Sequence, residues 1–203
     1  MANFNSDDTA SPIVLDTSVA ISLVASRIGT DVLKALARPA YMIDVAIGEL
    51  ADAGQRAADV LSALRDWQRD RLLTEVSLEA DALEVFEDLV SGPAADTLDD
   101  GEAATIAHAR VIGAVAVIDE GKARRISRER HPALMLASTI DLLLHPATER
   151  VLGREAIAHA LYLALKDARA RVPPEHQETV RLMLGSERAA LCHSLPAVIR
   201  NRA

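Results

Sequence analysis

The chain has 203 residues, half of them apolar, with 30 acidic against 22 basic side chains and a formal net charge of −8. That is enough apolar material for a well-buried core, and it excludes wholesale disorder. The acidic balance excludes a protein that grips a polyanion by bulk charge, and 2 % aromatic content excludes a base-stacking platform. Nucleic acid could be approached only through a local basic patch, bound cations or a partner. A single cysteine, Cys192, rules out a disulfide framework and a cysteine-based metal cluster, and it suits a reducing cytoplasm. Residues 1–12 lack the cationic start and apolar core of a signal peptide, and no apolar run approaches membrane-spanning length. The expected location is cytoplasmic.

In chain order, residues 1–12 read as a loose polar tail. Ile13-Val14-Leu15 predicts a short buried strand, and Asp16-Thr17-Ser18 opens an apolar helical run to about Ser26. A short helix over residues 31–37 ends before Pro39. Residues 41–43 form a second strand, with Asp44 as N-cap of a helix carrying Ile47, Glu49 and Leu50. Val60, Leu61, Leu64 and Trp67 share one face of a helix over residues 57–67. Residues 72–76 read as a brief edge strand, and residues 78–90 as an amphipathic helix stopped by Ser91-Gly92-Pro93. Leu98-Asp99-Asp100-Gly101-Glu102 leads into a helix over residues 103–112, ended by Gly113. Residues 115–118 are continuously apolar, the clearest parallel-strand signature in the chain. A basic helix follows over residues 122–130, then a strand at 134–136 and a helix over 139–144.

This alternation predicts an α/β fold, a three-layer α/β/α sandwich around a mainly parallel central sheet. Beyond Pro146 only helices are expected. Ile157, Leu161, Ala164, Leu165 and Ala168 fall at helical spacing, Pro173-Pro174 break the run, and further helices follow over residues 175–184 and from Gly185-Ser186. The chain therefore divides into residues 1–146, which carry the sheet, and residues 147–203, a helical extension packed on the core.

Acids recur where a strand meets a helix, or early in the helix that follows: Asp16, Asp44 with Glu49, Asp99 and Asp100 with Glu102, and Asp119 with Glu120. In a parallel sheet such positions gather at the carboxyl edge, where open α/β sheets bind ligands. Clustered carboxylates repel, and divalent cations offset that repulsion. Oxygen ligands without Cys or clustered His select Mg²⁺ or Mn²⁺ over Zn²⁺. Such ions stabilise in-line phosphoryl displacement and generate hydroxide near neutral pH. Each acid also has a plainer role. Asp16 and Asp119 suit N-caps, Glu49 a solvated helix face, and Asp99 with Glu102 a D-x-x-E capping box.

Taken together, Ile13-Val14-Leu15-Asp16-Thr17-Ser18, Glu49, Leu98-Asp99-Asp100-Gly101-Glu102-Ala103, and Val117-Ile118-Asp119-Glu120 with Ala123-Arg124-Arg125 resemble a PIN domain. The Gly-Glu-Ala and Ile-Asp-Glu segments are similar to the subgroup related to VapC-type toxins. The resemblance covers residues 12–146 and implies a PIN-like sandwich that hydrolyses RNA phosphodiesters with Mg²⁺ or Mn²⁺. It assigns Asp16, Glu49 and Asp119 as catalytic, metal-holding acids. For the third acid it offers Glu102, where the wider family usually has Asp, with Asp99 and Asp100 close by. It also implies a small antitoxin partner and a homodimer.

Lys122, Arg124, Arg125, Arg128 and Arg130 form one basic cluster. Arg124 and Arg125 are the candidates to hold an RNA backbone beside Asp119, and Arg128 and Arg130 read as a solvated helix face. The six His are scattered, and Cys192 has only His193 beside it, which on a helix does not face it. Two other classes compete with a ribonuclease. One is a non-catalytic PIN-like module for protein contacts. The other is a different Mg-dependent α/β phosphohydrolase with Asp16 as covalent nucleophile, although Ser18 stands where such an enzyme wants a second acid. A glycine-rich phosphate loop is absent.

Overall fold

Successive side chains of a strand point to opposite faces of its sheet, and in this chain both sets are apolar. The computed structural model describes residues 11–52 and 57–200. Of the expected tail, residues 1–10 lie outside the described residues. Five parallel strands, β1 (Ile13–Leu15), β2 (Ala40–Ile43), β3 (Thr74–Val76), β4 (Val115–Val117) and β5 (Leu136–Ala137), lie in the order β3-β2-β1-β4-β5. Ile13 pairs in register with Ala40 on one side and with Val115 on the other. Ile13, Leu15, Met42, Val115 and Val117 point into one core cluster. Val14, Ile43, Ala116 and Ile118 point into the opposite one.

Helices cover both faces. In chain order they are α1 (Thr17–Ala25), α2 (Gly29–Leu36), α3 (Asp44–Asp52), α4 (Ala58–Arg69), α5 (Ala80–Val90), α6 (Asp100–Ile112), α7 (Gly121–Arg130), α8 (Thr139–Leu143), α9 (Pro146–Leu152), α10 (Arg154–Asp167), α11 (Gln177–Leu191) and α12 (Ala197–Arg200). Buried residues of α5, α6 and α7 fill one side; those of α1, α2, α4, α8, α10 and α11 fill the other. The architecture is the α/β sandwich that the alternation predicts, with C-terminal helices. The last strand differs from expectation: it starts at Leu136, because the Leu134 N–H is taken into a turn by the His131 carbonyl, 2.9 Å away.

Ile157, Leu161 and Leu165, the predicted stripe, are buried and belong to the same core as β1 and β4. Pro146 starts α9 at its first turn. Gly185, at φ 72°, kinks α11 where Gly185-Ser186 predicts a break. A second tie joins this region to the sheet. His176 Nε2 lies 2.7 Å from Asp141 Oδ1. Asp141 also closes a capping box with Ser138, accepting from its N–H at 2.8 Å and its hydroxyl at 2.6 Å. Burial alone would raise the Asp141 carboxyl, but the bonds from His176 and Ser138 outweigh it and hold the group below its ordinary 3.8. The bond to Asp141 raises His176 above 6.5.

The pair is therefore most stabilising between the two ordinary values. Its contribution fades as pH rises through the raised His176 value, and again as pH falls through the lowered Asp141 value. His176→Ala should cost about 1–3 kcal/mol in that window. Urea unfolding of both proteins at a series of pH values checks this; a deficit independent of pH would show that the pair is not ionic.

Candidate active site at the carboxyl edge of the sheet

The strand order reverses between β1 and β4, and in open α/β sheets the crevice outside the strand ends at that point is where ligands bind. Asp16 follows β1, and Asp119 stands two residues beyond β4. They are 4 % and 5 % exposed. Asp16 is the N-cap of α1, and its Oδ2 accepts from the Ser18 N–H at 3.2 Å and the Ser18 hydroxyl at 2.5 Å. Asp119 does not cap the helix after it. Glu120 does that, accepting from the Ala123 N–H at 2.8 Å. Asp119 instead reaches across to the start of α8, where it accepts from the Thr139 N–H at 2.8 Å and the Thr139 hydroxyl at 2.7 Å. The Ser22 hydroxyl on α1 is a longer donor, at 3.4 Å.

Glu49 lies on the exposed face of α3, and its Oε1 accepts the Gly101 N–H at 3.0 Å. The contact is close enough that a Cβ at position 101 would stand 2.6 Å from Glu49 Oε2, so glycine is the residue that admits it. Asp99 caps α6 by accepting the Glu102 N–H at 2.9 Å. Only that half of the expected D-x-x-E box forms; the Glu102 carboxyl has no hydrogen-bond partner among the described residues. Asp44 is spent elsewhere, accepting from Ser77 at 2.6 Å beyond β3.

Electrostatics tie the four acids together. Loss of solvent raises the carboxyls of the buried Asp16 and Asp119 and of the partly covered Glu102 and Glu49, and Asp16 adds repulsion to each of the other three. Glu102 is pushed up to about 8, chiefly by burial and then by Asp99 and Asp16. Among the described residues no three His, Cys, Asp or Glu side chains are grouped so as to hold a metal ion. Asp16, Asp119 and Glu49 each accept from neighbouring donors. Their chemistry nonetheless fits a hard divalent cation: all are oxygen donors, and the like charge raised on each is what such a cation relieves.

The basic helix behaves differently from expectation. Arg124, a candidate to hold substrate, is buried instead, and its Nη1 donates to the Ile118 carbonyl at 3.1 Å and the Ala137 carbonyl at 2.7 Å, bracing the ends of β4 and β5. Arg125 is exposed, but it is paired with Glu129 at 2.9 Å and donates to the Ala95 carbonyl at 3.1 Å. Lys122 and Arg130 donate to the carbonyls of Ala94 and Asp96, each at 2.7 Å. Three cations of α7 thus fasten the loop that leads into Asp99 and Glu102. Arg130 belongs to that clamp rather than to a solvated face.

The sequence of the chain matches the PIN domain family over residues 12–185. The chain belongs to that family. The match runs past residue 146 and through α10, so the family pattern includes more of the C-terminal helices than the resemblance over residues 12–146 covers. No curated protein and no solved structure matches the chain at a significant level. Several residues of this PIN domain edge escape motif reading. Thr139, which anchors Asp119, is marked only by a Ser138-x-x-Asp141 cap signal after a strand. Gly101, which admits Glu49, lies inside the quoted motif without its contact being visible there.

The raised Glu102 value has a definite sign. The fold favours its protonated form, so without a cation stability declines as pH rises from the ordinary 4.5 toward about 8. Mg²⁺ or Mn²⁺ at ten times its Kd should then stabilise by about 1.4 kcal/mol, or about 3–6 °C in Tm for a domain of this size. The gain should be larger at pH 8 than at pH 5.5, because carboxylates must be deprotonated to hold an ion. Thermal melts with and without EDTA check this; a Tm indifferent to both ions would rule out binding at this edge.

Proposed function

We propose that this protein is a Mg²⁺- or Mn²⁺-dependent endoribonuclease acting on RNA phosphodiester bonds. One observation carries the reading: Asp16 and Asp119 stand buried at the ends of the two strands that flank the switch point of the sheet, where loss of solvent raises both carboxyls together with those of Glu49 and Glu102, and Asp16 adds repulsion to the other three. Acids that are raised by loss of solvent and repelled by Asp16 at a ligand crevice are costly as structure and suited to a cation. Asp16, Glu49, Glu102 and Asp119 would hold the ion, which supplies hydroxide near neutral pH and charge stabilisation of the in-line displacement. Ser18 orients Asp16 and Thr139 orients Asp119, so two of the acids are fixed before anything binds. Glu102 has no hydrogen-bond partner among the described residues, so its carboxylate is free to turn to the ion.

A second reading, a non-catalytic PIN module for protein contacts, is favoured by the donors that already satisfy Asp16, Asp119 and Glu49. An antitoxin partner and a homodimer rest on the family resemblance alone. A cytoplasmic location is supported by the lone, buried Cys192, and no helix among the described residues is long and apolar enough to cross a membrane.

Loss even of groups that merely orient metal ligands costs about 10–100-fold in metal affinity or activity. Removing the charge of Asp16 by Asp16→Asn should therefore lower RNA cleavage by more than about a hundredfold, and EDTA should do the same to the parent. Cleavage of a short single-stranded RNA with Mn²⁺ decides. Activity that survives both treatments belongs elsewhere, and a folded parent that never cleaves supports the module.

A further inference from the structure

The segment after α10 brings a cation to the acidic edge from outside the motif region. Arg169, at φ 57°, turns the chain through a left-handed residue, and the Ala170 N–H returns to the Ala164 carbonyl at 3.0 Å. Arg171 then lies against the start of α7. Its Nη2 is 3.8 Å from Glu120 Oε1, and a Cβ at position 121 would overlap its Nη1, so Gly121 leaves the room it occupies. A separation of 3.8 Å is charge proximity rather than a hydrogen bond. The Arg171 side chain is 60 % exposed, so part of its fork of five N–H donors remains open to solvent. With Asp119, Glu120, Ser18 and Ser22 it walls a notch of about 210 Å³. Pockets that enclose whole small ligands begin near about 300 Å³, so the notch suits one group on a passing polymer. Lys122, Arg124, Arg125 and Arg130 already donate to protein acceptors.

We propose that Arg171 is a substrate-positioning residue that grips, bidentately, a phosphate of the RNA strand flanking the scissile one. This rests on the ribonuclease reading above. A guanidinium fork matches two phosphate oxygens, whereas the carboxylates beside it repel them, so Arg171 sets where the strand can cross the edge.

The test is equilibrium binding of a short single-stranded RNA to the full chain in EDTA, at several salt concentrations. Arg171→Ala should weaken binding about tenfold. The log–log salt slope should become shallower by about 0.7, the value for one phosphate contact on a single strand. Arg171→Lys should keep the slope and recover only part of the affinity. With Mn²⁺ present, Arg171→Ala should raise KM and leave kcat nearly unchanged. The exposed pair with Glu120 adds little stability, so the Tm of Arg171→Ala should match the parent. If the parent binds RNA and Arg171→Ala binds with equal affinity and slope, Arg171 is only the counter-charge of Glu120 and the proposal is overturned. A parent that neither binds RNA in EDTA nor cleaves it with Mn²⁺ overturns it together with the ribonuclease reading; if the parent cleaves but binds only with the ion present, an Arg171→Ala KM equal to the parent's overturns the proposal alone.

Discussion

Asp16 and Asp119 are carboxylates of like charge, both buried, at the ends of neighbouring parallel strands. Removing a carboxylate from water is costly unless donors replace the solvent. Here the donors come from the starts of two helices: Ser18 on α1 serves Asp16, and Thr139 on α8 serves Asp119. Helix starts are apt for this, since their first N–H groups have no partner within the helix. The demand propagates outward. Thr139 is in place because Ser138 and Asp141 cap α8, and Asp141 is held in turn by His176 beyond α10. Two sets of hydrogen bonds, joined through the Ser138–Thr139 peptide link, thus connect a strand-end acid to the C-terminal helices.

On the opposite face α7 does a comparable job with its cations. In an acidic protein a basic helix invites reading as a nucleic-acid surface, yet most of its charge is turned on the protein's own carbonyls. Backbone carbonyls at a loop lack the partners that helices and sheets supply, and Lys and Arg donors satisfy them, although ordering such long side chains costs rotamer freedom. Because Ala94, Ala95 and Asp96 are held this way, the start of α6 is fixed, and with it the relation of Glu102 to Asp16.

The fold was legible because its signal is redundant. The apolar runs, the caps and the strict alternation of strand and helix all pointed to one architecture. The acids of the edge were legible for the same reason, each following a strand or opening a helix. The arginines were not. Nothing in the spacing of Arg124 distinguishes a guanidinium that faces water from one that closes the ends of two strands. Arg171 lies some fifty residues beyond Asp119 in sequence, outside any helical pattern, and only the turn at Arg169 brings it over Gly121. Contacts made by long side chains across the fold leave no periodic trace.

Gly101 shows how a residue without chemistry of its own can be held to a chemical standard. Its backbone N–H is a ligand to Glu49, and its bare Cα is the floor on which that carboxylate rests. Most glycines are kept for a backbone angle that other residues resist, yet this one sits inside a helix, where alanine has the higher propensity. Selection for a stiffer helix α6 would therefore run against selection for the position of Glu49. An engineer who raised stability by filling helical glycines would gain at Gly48, where a Cβ meets nothing, and would disturb the edge at Gly101.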